Sequence, residues 1–414
     1  MSVKVQWGVA KYSKDSHIAV AGRRVADCFF IIRHGKVKIA KEVVIDGDKD
    51  EVLVPGDFFG VAAAMSSYSH IETAIALTDV TLITVRPQQY VPLIQNNTQV
   101  ATKILMQLSN RLRFLNDALT KLTLKSDAKN VDGDPSRLFD VAEYYFRQKQ
   151  YDQAFYAYTQ YVKYCPDGKH REAVAGLLAR LKERVGDVKT GIAKGELIHA
   201  YKKGDMIFAE GELGDEFFVV QTGSVKISKI IDNKEVLLGM LGEGDVFGEM
   251  AILEGKPRGA SAVANEDSTV MAASKSNFEF LIENQPQLIS KITTLLAKRI
   301  WSTFKQLEVI HITNPLGRVY GILLVQLEKG RLNLESPEPH LFGAKWDELV
   351  NMLGLAEKEG YILMGKLQED NNLQVKDGRV HAYSIREVAV QAALYRKIDA
   401  REKTKREHWS KAQS

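Results

Sequence analysis

Glu249 and Arg258 stand nine residues apart in Phe247–Ala262, FGEMAILEGKPRGASA, and most of their neighbours are small. An arginine presents a planar fork of donors that fits a pair of oxygens, which lysine matches poorly. A glutamate accepts hydrogen bonds and donates none when ionised. Gly248 lets the backbone come close to a partner where a side chain would block it. Ala251, Gly259, Ala260 and Ala262 keep the surroundings narrow, and Met250 lies between the two charges. Two readings are open on these residues alone: a tight ligand pocket walled by one cation and one carboxylate, or a surface salt bridge between Glu249 and Arg258. A second stretch, FGVAAAMSSYSHIETA at Phe59–Ala74, has the same frame. It keeps Gly60 but has Val61 where the first has Glu249, and His70 where the first has Arg258.

The elements that must position these residues come from an internal repeat. An offset of 188 aligns Asp27-Cys28-Phe29-Phe30 with Asp215-Glu216-Phe217-Phe218, GKVKIAK with GSVKISK, and PGDFFG with EGDVFG. It still holds at Arg111 and Arg299, with no gap. Each copy opens with β-branched and aromatic runs broken by glycine, the pattern of a small antiparallel barrel or roll. Each closes with a helical pattern; in the second, Leu288, Ile292, Leu295, Leu296, Ile300 and Leu307 share one face after Pro286. Between the copies, Ala142, Tyr145, Phe146, Tyr151, Ala154, Tyr158 and Pro166 have the look of one tetratricopeptide unit, two antiparallel helices with a third near Leu177–Leu181. Such a unit serves either as a helical spacer between the rolls or as a groove for a protein partner.

GDVFGEMAILEGKPRGASA resembles the phosphate-binding cassette of the cyclic nucleotide-binding domain, the family of the bacterial catabolite activators (CRP/FNR-like) and the regulatory subunits of the cyclic-AMP kinase. The resemblance covers the roll from about Ile198 to Glu283 and the helix after it. It implies that backbone N–H groups near Gly248 and the Arg258 fork hold a cyclic phosphate. It implies that Glu249 takes the ribose 2′-hydroxyl, and that Thr303 reaches an adenine edge. Gly259 follows the phosphate arginine where guanine-contacting relatives often carry Thr or Ser, so cyclic AMP is favoured over cyclic GMP. The implied site is Gly248, Glu249, Met250, Arg258, Gly259, Ala260 and Thr303. In the first copy Gly60, Val61 and His70 stand in those places and Leu115 replaces Thr303. Losing a buried charge-assisted phosphate contact costs ~2–5 kcal/mol. The first site is therefore expected to be retired, or turned to another nucleotide messenger such as a cyclic dinucleotide, with His70 carrying partial positive charge.

After the second roll come a helix, a turn at Leu353-Gly354-Leu355, a second helix and a hairpin on Lys376-Asp377-Gly378-Arg379, the outline of a winged helix-turn-helix. It resembles the DNA-binding domain of the catabolite activators in place and order. Lys358, Lys366 and Arg379 are its candidate DNA-facing residues. Ala356–Asp370 carries those two lysines against Glu357, Glu359, Glu369 and Asp370, a net charge of −2 that opposes contact with phosphates. The outputs open to it are direct transcriptional control or a protein partner.

The 414 residues exceed one ordinary core. The formal charge of +4 arises between Arg396 and Lys411, where seven basic residues face three acids, so the body shows no global attraction to polyanions. Two distant cysteines, Cys28 and Cys165, and no apolar span or secretory leader point to a cytoplasmic protein without membrane partners. No nucleophile–base pair or metal-type cluster stands out, and His17, His34, His199 and His311 are isolated, so no enzyme activity, catalytic residue, metal or cofactor is expected. The expected architecture is α+β and multidomain. It has a degenerate cyclic nucleotide-binding-like antiparallel β-roll at 1–124, a linker at 125–134 and a tetratricopeptide-like unit at 135–187. An armed β-roll follows at 188–310, then a winged helix at 311–390 and a basic tail at 391–414. The expected function is a cyclic-nucleotide sensor that repositions its C-terminal domain. It acts either as a homodimer or as a monomer whose two rolls form a pseudo-dimer.

Overall fold

The computed structural model describes residues 7–23, 26–41, 45, 47–48, 50–124, 134–186, 188, 198–231, 233–274 and 286–412. Most of the expected linker, 125–133, and the start of the second roll, 189–197, lie outside the described residues. The chain divides into two compact units: residues 1–117 with 129–301, and residues 118–128 with 302–414. The expected boundaries at 124 and 310 therefore fall at the ends of two long helices, each of which passes from one unit into the other.

In the first unit, the first roll comprises β1 (Gly8–Tyr12), β2 (His17–Ala19), β3 (Phe29–His34), β4 (Val37–Lys41), β5 (Glu51–Leu53), β6 (Phe58–Phe59), α1 (Val61–Ser66), β7 (Glu72–Ala76), β8 (Val80–Val85), α2 (Pro87–Asn96) and α3 (Thr98–Leu124). Its strands make two antiparallel sheets, ordered β1-β8-β3-β6 and β2-β7-β4-β5. An inserted helical segment has α4 (Arg137–Arg147), α5 (Tyr151–Tyr164) and α6 (Arg171–Leu181). The second roll follows with β9 (Ile198–Tyr201), β10 (Met206–Phe208), β11 (Glu216–Thr222), β12 (Val225–Ile231), β13 (Lys234–Leu241), β14 (Val246–Phe247), α7 (Glu249–Glu254), β15 (Ser261–Ala264) and β16 (Ser268–Ser274). Its closing helix is α8 (Pro286–Ile310). The sheets, β14-β11-β16-β9 and β10-β15-β12-β13, repeat the first roll strand for strand.

The correspondence extends to side chains and dihedral angles. Phe30 stacks on Phe59 with centroids 5.0 Å apart, and their counterparts Phe218 and Phe247 stack at 5.2 Å. Gly60 and Gly248 precede the short helices α1 and α7 with φ of 79° and 78°. At these two positions the left-handed backbone favours glycine, and the close neighbours leave little room for a Cβ. This explains why the blank copy keeps its glycine although both charges are gone.

The inserted helices share one core with the second roll. Leu138, Val141, Tyr145, Ala154 and Tyr158 cluster with Met206, Ala209, Ile230 and Val263. Polar contacts reinforce this seam. Arg137 donates to the Ile230 carbonyl and Gln153 Nε2 to the Gly204 carbonyl at 2.7 Å, and Tyr156 Oη lies 3.1 Å from the Ile207 carbonyl. The face of the insert built from these residues is thus covered by the chain itself.

The second unit contains α9 (Pro315–Lys329), β17 (His340–Lys345), α10 (Trp346–Met352), α11 (Glu357–Gln368), β18 (Leu373–Lys376), β19 (Arg379–Ala382) and α12 (Ile385–Ala412). Asn314 caps α9: its Oδ1 accepts from the N–H groups of Leu316 and Gly317, and Pro315 supplies the preset first turn. The strands form one antiparallel sheet, β17-β19-β18, beside the α10–turn–α11 pair. Helix α12 crosses the expected boundary at residue 390 without a break. No described helix is long and apolar enough to cross a membrane.

Candidate functional site

The cassette lies where β14 ends and α7 begins. Arg258 is carried there by the loop after α7 and is only 4% exposed. Its Nη1 donates to the Gly248 carbonyl at 2.7 Å, and Nη2 lies 4.0 Å from Glu216 Oε2. The guanidinium covers the Phe208 ring, 4.4 Å from its centroid. Glu249 is as deeply buried, and its Oε1 accepts from Arg299 Nη1 of α8 at 3.0 Å. Glu249 pairs with Arg299 and Arg258 with Glu216, so the surface salt bridge between Glu249 and Arg258 is not formed.

Among the described residues, the donor Nε of Arg258 and the acceptor Oε2 of Glu249 are buried without a hydrogen bond. Such groups are costly unless something completes them. A ligand that brings an anionic oxygen to the first and a hydroxyl to the second would complete both. A cyclic nucleotide, with its phosphate and its ribose 2′-hydroxyl, has that pair of groups.

The cavity between them is about 50 Å³, far below the size of ordinary ligand pockets. Its described walls include Gly248, Glu249, Met250, Arg258, Gly259 and Ala260, so six of the seven expected residues come together. The seventh, Thr303, is buried on α8 in the part that belongs to the second unit. Sequence reasoning missed three wall residues from the first copy's helix: Arg113, Asn116 and Asp117 of α3. Arg113 Nη1 comes within 2.9 Å of the place a Cβ on Gly259 would occupy. Asp117 Oδ1 accepts from the buried Lys229 Nζ at 2.6 Å. The crossing is reciprocal. Trp301 of α8 stacks on Tyr68 of the first roll at 4.1 Å, and Tyr90 and Thr293 share a hydrogen bond at 3.0 Å. The offset of 188 makes Arg113 and Trp301 equivalent, and this was the signal that could have found the crossing.

Behind Arg258 stands Glu212. Burial pushes its carboxyl up to about 7, opposed by the Ala209 N–H, the Arg258 charge and Tyr156. Tyr156 Oη, from the inserted helices, donates to it at 3.1–3.2 Å. Burial in turn draws the Arg258 guanidinium below its ordinary value.

In the first roll, the His70 ring lies against Gly60, as Arg258 lies against Gly248. Burial pulls His70 below the usual imidazole range, which favours the neutral ring at pH 7, so the partial positive charge expected of it is weak. In the second unit Lys358, Lys366 and Arg379 are all exposed, on α11 and at the start of β19. Among the described residues no cluster of metal-ligating side chains is found.

The chain matches the family described as "Cyclic nucleotide-binding domain" twice, at residues 9–97 and 198–285. It is 30% identical over 170 residues to the "Cyclic AMP receptor protein" of Thermus thermophilus, covering 40% of this chain and 79% of that one. It is 29% identical over 185 residues to the "cAMP-activated global transcriptional regulator CRP" of Pasteurella multocida, covering 44% of this chain and 87% of that protein. A solved structure of the c-di-GMP responsive global regulator CLP of Xanthomonas campestris aligns with a TM-score of 0.39 and 21% identity, over 45% of this chain and 93% of that one. With two cyclic nucleotide-binding domains and these relatives, the protein belongs to the cyclic AMP receptor protein (CRP/FNR) family of regulators.

Proposed function

We propose that the protein is a cytoplasmic sensor of a cyclic mononucleotide, cyclic AMP by preference, with its one nucleotide site in the second roll. The observation that carries this reading is the orphaned pair, Arg258 Nε and Glu249 Oε2, in the cassette wall. Phosphate on Arg258 and the ribose hydroxyl on Glu249 satisfy both atoms. Asn116, already in the cavity wall, is a candidate for reading the base, because an amide matches the donor–acceptor edge of adenine.

A cavity of about 50 Å³ must widen to admit a nucleotide, and the groups in its way are Arg113, Asp117 and Arg299 on α3 and α8. Ligand therefore acts against the two closing helices, and the preference for the widened state shifts the population. Both helices continue into the second unit, which supports transmission to that unit as the output. The two rolls act as a pseudo-dimer within one chain.

The output domain, read as a winged helix, supports DNA as the target by its order of elements and by the transcriptional regulators among the relatives. A second reading, a protein partner, is favoured by α11 itself. Tyr361 and Ile362 are 61% and 57% exposed there, near acidic Glu359 and Glu369. The primary test is calorimetric titration with cyclic AMP of the native chain, Arg258→Ala and Glu249→Gln. One site per chain, weakened by about 30-fold or more in Arg258→Ala, is expected. Binding indifferent to both substitutions overturns the reading. A DNA mobility shift with and without the nucleotide then separates the two outputs.

A further inference from the structure

The last helix of the chain has two apolar faces, and the fold covers one of them. Toward α9, α12 turns the buried Ile385, Val388 and Ala392, and Tyr395, which stacks on Tyr320 with centroids 6.1 Å apart. Asp399 continues this face, and its Oδ1 accepts from the Thr313 N–H at 2.9 Å. Steps of three and four residues are those of a helix packed on a core. Val390, Leu394 and Ile398 fall at intervals of four on another side of the same helix. They are 51%, 46% and 41% exposed. One exposed leucine means nothing, but a continuous apolar stripe left to solvent marks a contact surface.

Charge says what the stripe meets. Glu387 precedes Val390 by three residues and Arg401 follows Ile398 by three, so both lie on the line of the stripe. Glu387 accepts from the neutral Gln391 at 2.8 Å, which leaves its charge standing. Arg401 is exposed, and so is Lys405 one turn beyond it. The stripe reads acid, Val, Leu, Ile, base, and that order complements itself when reversed. In an antiparallel pair of identical helices centred on Leu394, Leu394 meets its own copy, Val390 meets Ile398, and Glu387 meets Arg401 twice by symmetry. A parallel pair sets acid on acid and base on base. A nucleic-acid backbone suits the stripe poorly, since its middle is apolar and one end is acidic.

We propose that the chain self-associates through α12. Two copies pair antiparallel along Val390, Leu394 and Ile398, with Glu387 of each copy against Arg401 of the other. The pairing brings two second units together about a twofold axis, and the seam between the rolls stays within one chain. From Glu387 to Arg401 the stripe is about 21 Å long at about 1.5 Å per residue. Such a contact is at the small end of protein interfaces, so a dissociation constant on the order of 100 µM is expected.

The experiment is sedimentation equilibrium of the full chain without nucleotide, up to about 300 µM, where most of such a protein is dimeric. Leu394→Glu places two carboxylates on the twofold axis and is expected to raise the dissociation constant about tenfold or more, with native circular dichroism. Glu387→Arg and Arg401→Glu each bring like charges together at two symmetric places, and each is expected to raise it about fivefold. The double reversal, Glu387→Arg with Arg401→Glu, restores both pairs and is expected to return it to about the native value. A chain that stays monomeric at the highest concentration overturns the proposal and leaves the stripe to a different protein. A dimer that survives Leu394→Glu overturns it too, because the contact then lies elsewhere. A double reversal that associates no more tightly than either single variant overturns the antiparallel pairing. Each of these outcomes is read without nucleotide, so none of them bears on the cassette of the second roll.

Discussion

Glu212→Gln should change how stability responds to pH, and the size of the change follows from the burial of this one group. The carboxyl lies behind Arg258 with a pKa of about 7, raised from 4.5 mainly by burial. A raised carboxyl pKa means that the folded chain holds a proton that the unfolded chain has already released between those values. Stability therefore falls as pH rises from about 4.5 to about 7, with the loss complete above the folded value. The shift corresponds to roughly 3 kcal/mol at about 1.4 kcal/mol per unit. Glutamine has no proton to lose, yet its amide can still meet the Ala209 N–H and Tyr156 Oη, so the fold should tolerate it. The assay is urea unfolding of both proteins at pH 5 and pH 8. All other titrations are common to the pair and cancel in the difference. Because pH 5 already lies above the unfolded value, the mutant should lose less stability between the two pH values by about 2.5 kcal/mol. Parallel pH profiles for the two proteins would refute the burial argument. A nucleotide adds a second readout: its phosphate competes with Glu212 for the Arg258 charge, so binding near pH 7 should take up protons, and Glu212→Gln should remove that uptake.

Trp301→Ala removes a 2%-exposed indole from its stack on Tyr68 and should cost about 3–5 kcal/mol in thermal or chemical unfolding. Asp117→Ala removes the carboxylate 2.6 Å from the Lys229 ammonium, whose side chain is 1% exposed, and should cost about 3 kcal/mol; a second change, Lys229→Met, should recover much of it in the same unfolding assay. Asn116→Ala should reduce the ratio of cyclic AMP to cyclic GMP affinity by about tenfold in competitive titration, the value of one good base contact. Arg258→Lys keeps the charge and loses the fork, and should weaken cyclic AMP nearly as much as alanine does.

Much of this was legible in the chain because the repeat keeps one register. The offset of 188 foretold two rolls, and the strand orders and the Phe30–Phe59 and Phe218–Phe247 stacks repeat accordingly. The cassette residues were legible because they are close in sequence. Arg113, Asn116 and Asp117 were not, because α3 is an ordinary amphipathic helix and nothing local says which roll a face will meet. The insert shows the same limit. Its alanines and tyrosines announce a helix pair, but Met206, Ala209, Ile230 and Val263, which complete its core, lie far along the chain. The ion pairs of the first roll among Lys41, Asp48, Glu72 and Arg111 escaped notice for a related reason. Their members come from β4, the segment before β5, β7 and α3, and only folding makes them neighbours.

The reciprocal crossing of α3 and α8 also changes what selection and titration can do. In an isologous dimer of identical chains every substitution at the seam occurs twice, and both halves must tolerate it. Here position 113 is arginine and position 301 is tryptophan, though the repeat makes them the same place. One half has become a polar wall for a nucleotide cassette, and the other an aromatic brace. The arrangement also removes subunit dissociation from the seam between the rolls. With one cassette per chain and both closing helices covalently joined, the chain should respond along a simple hyperbola whose midpoint is unmoved by dilution.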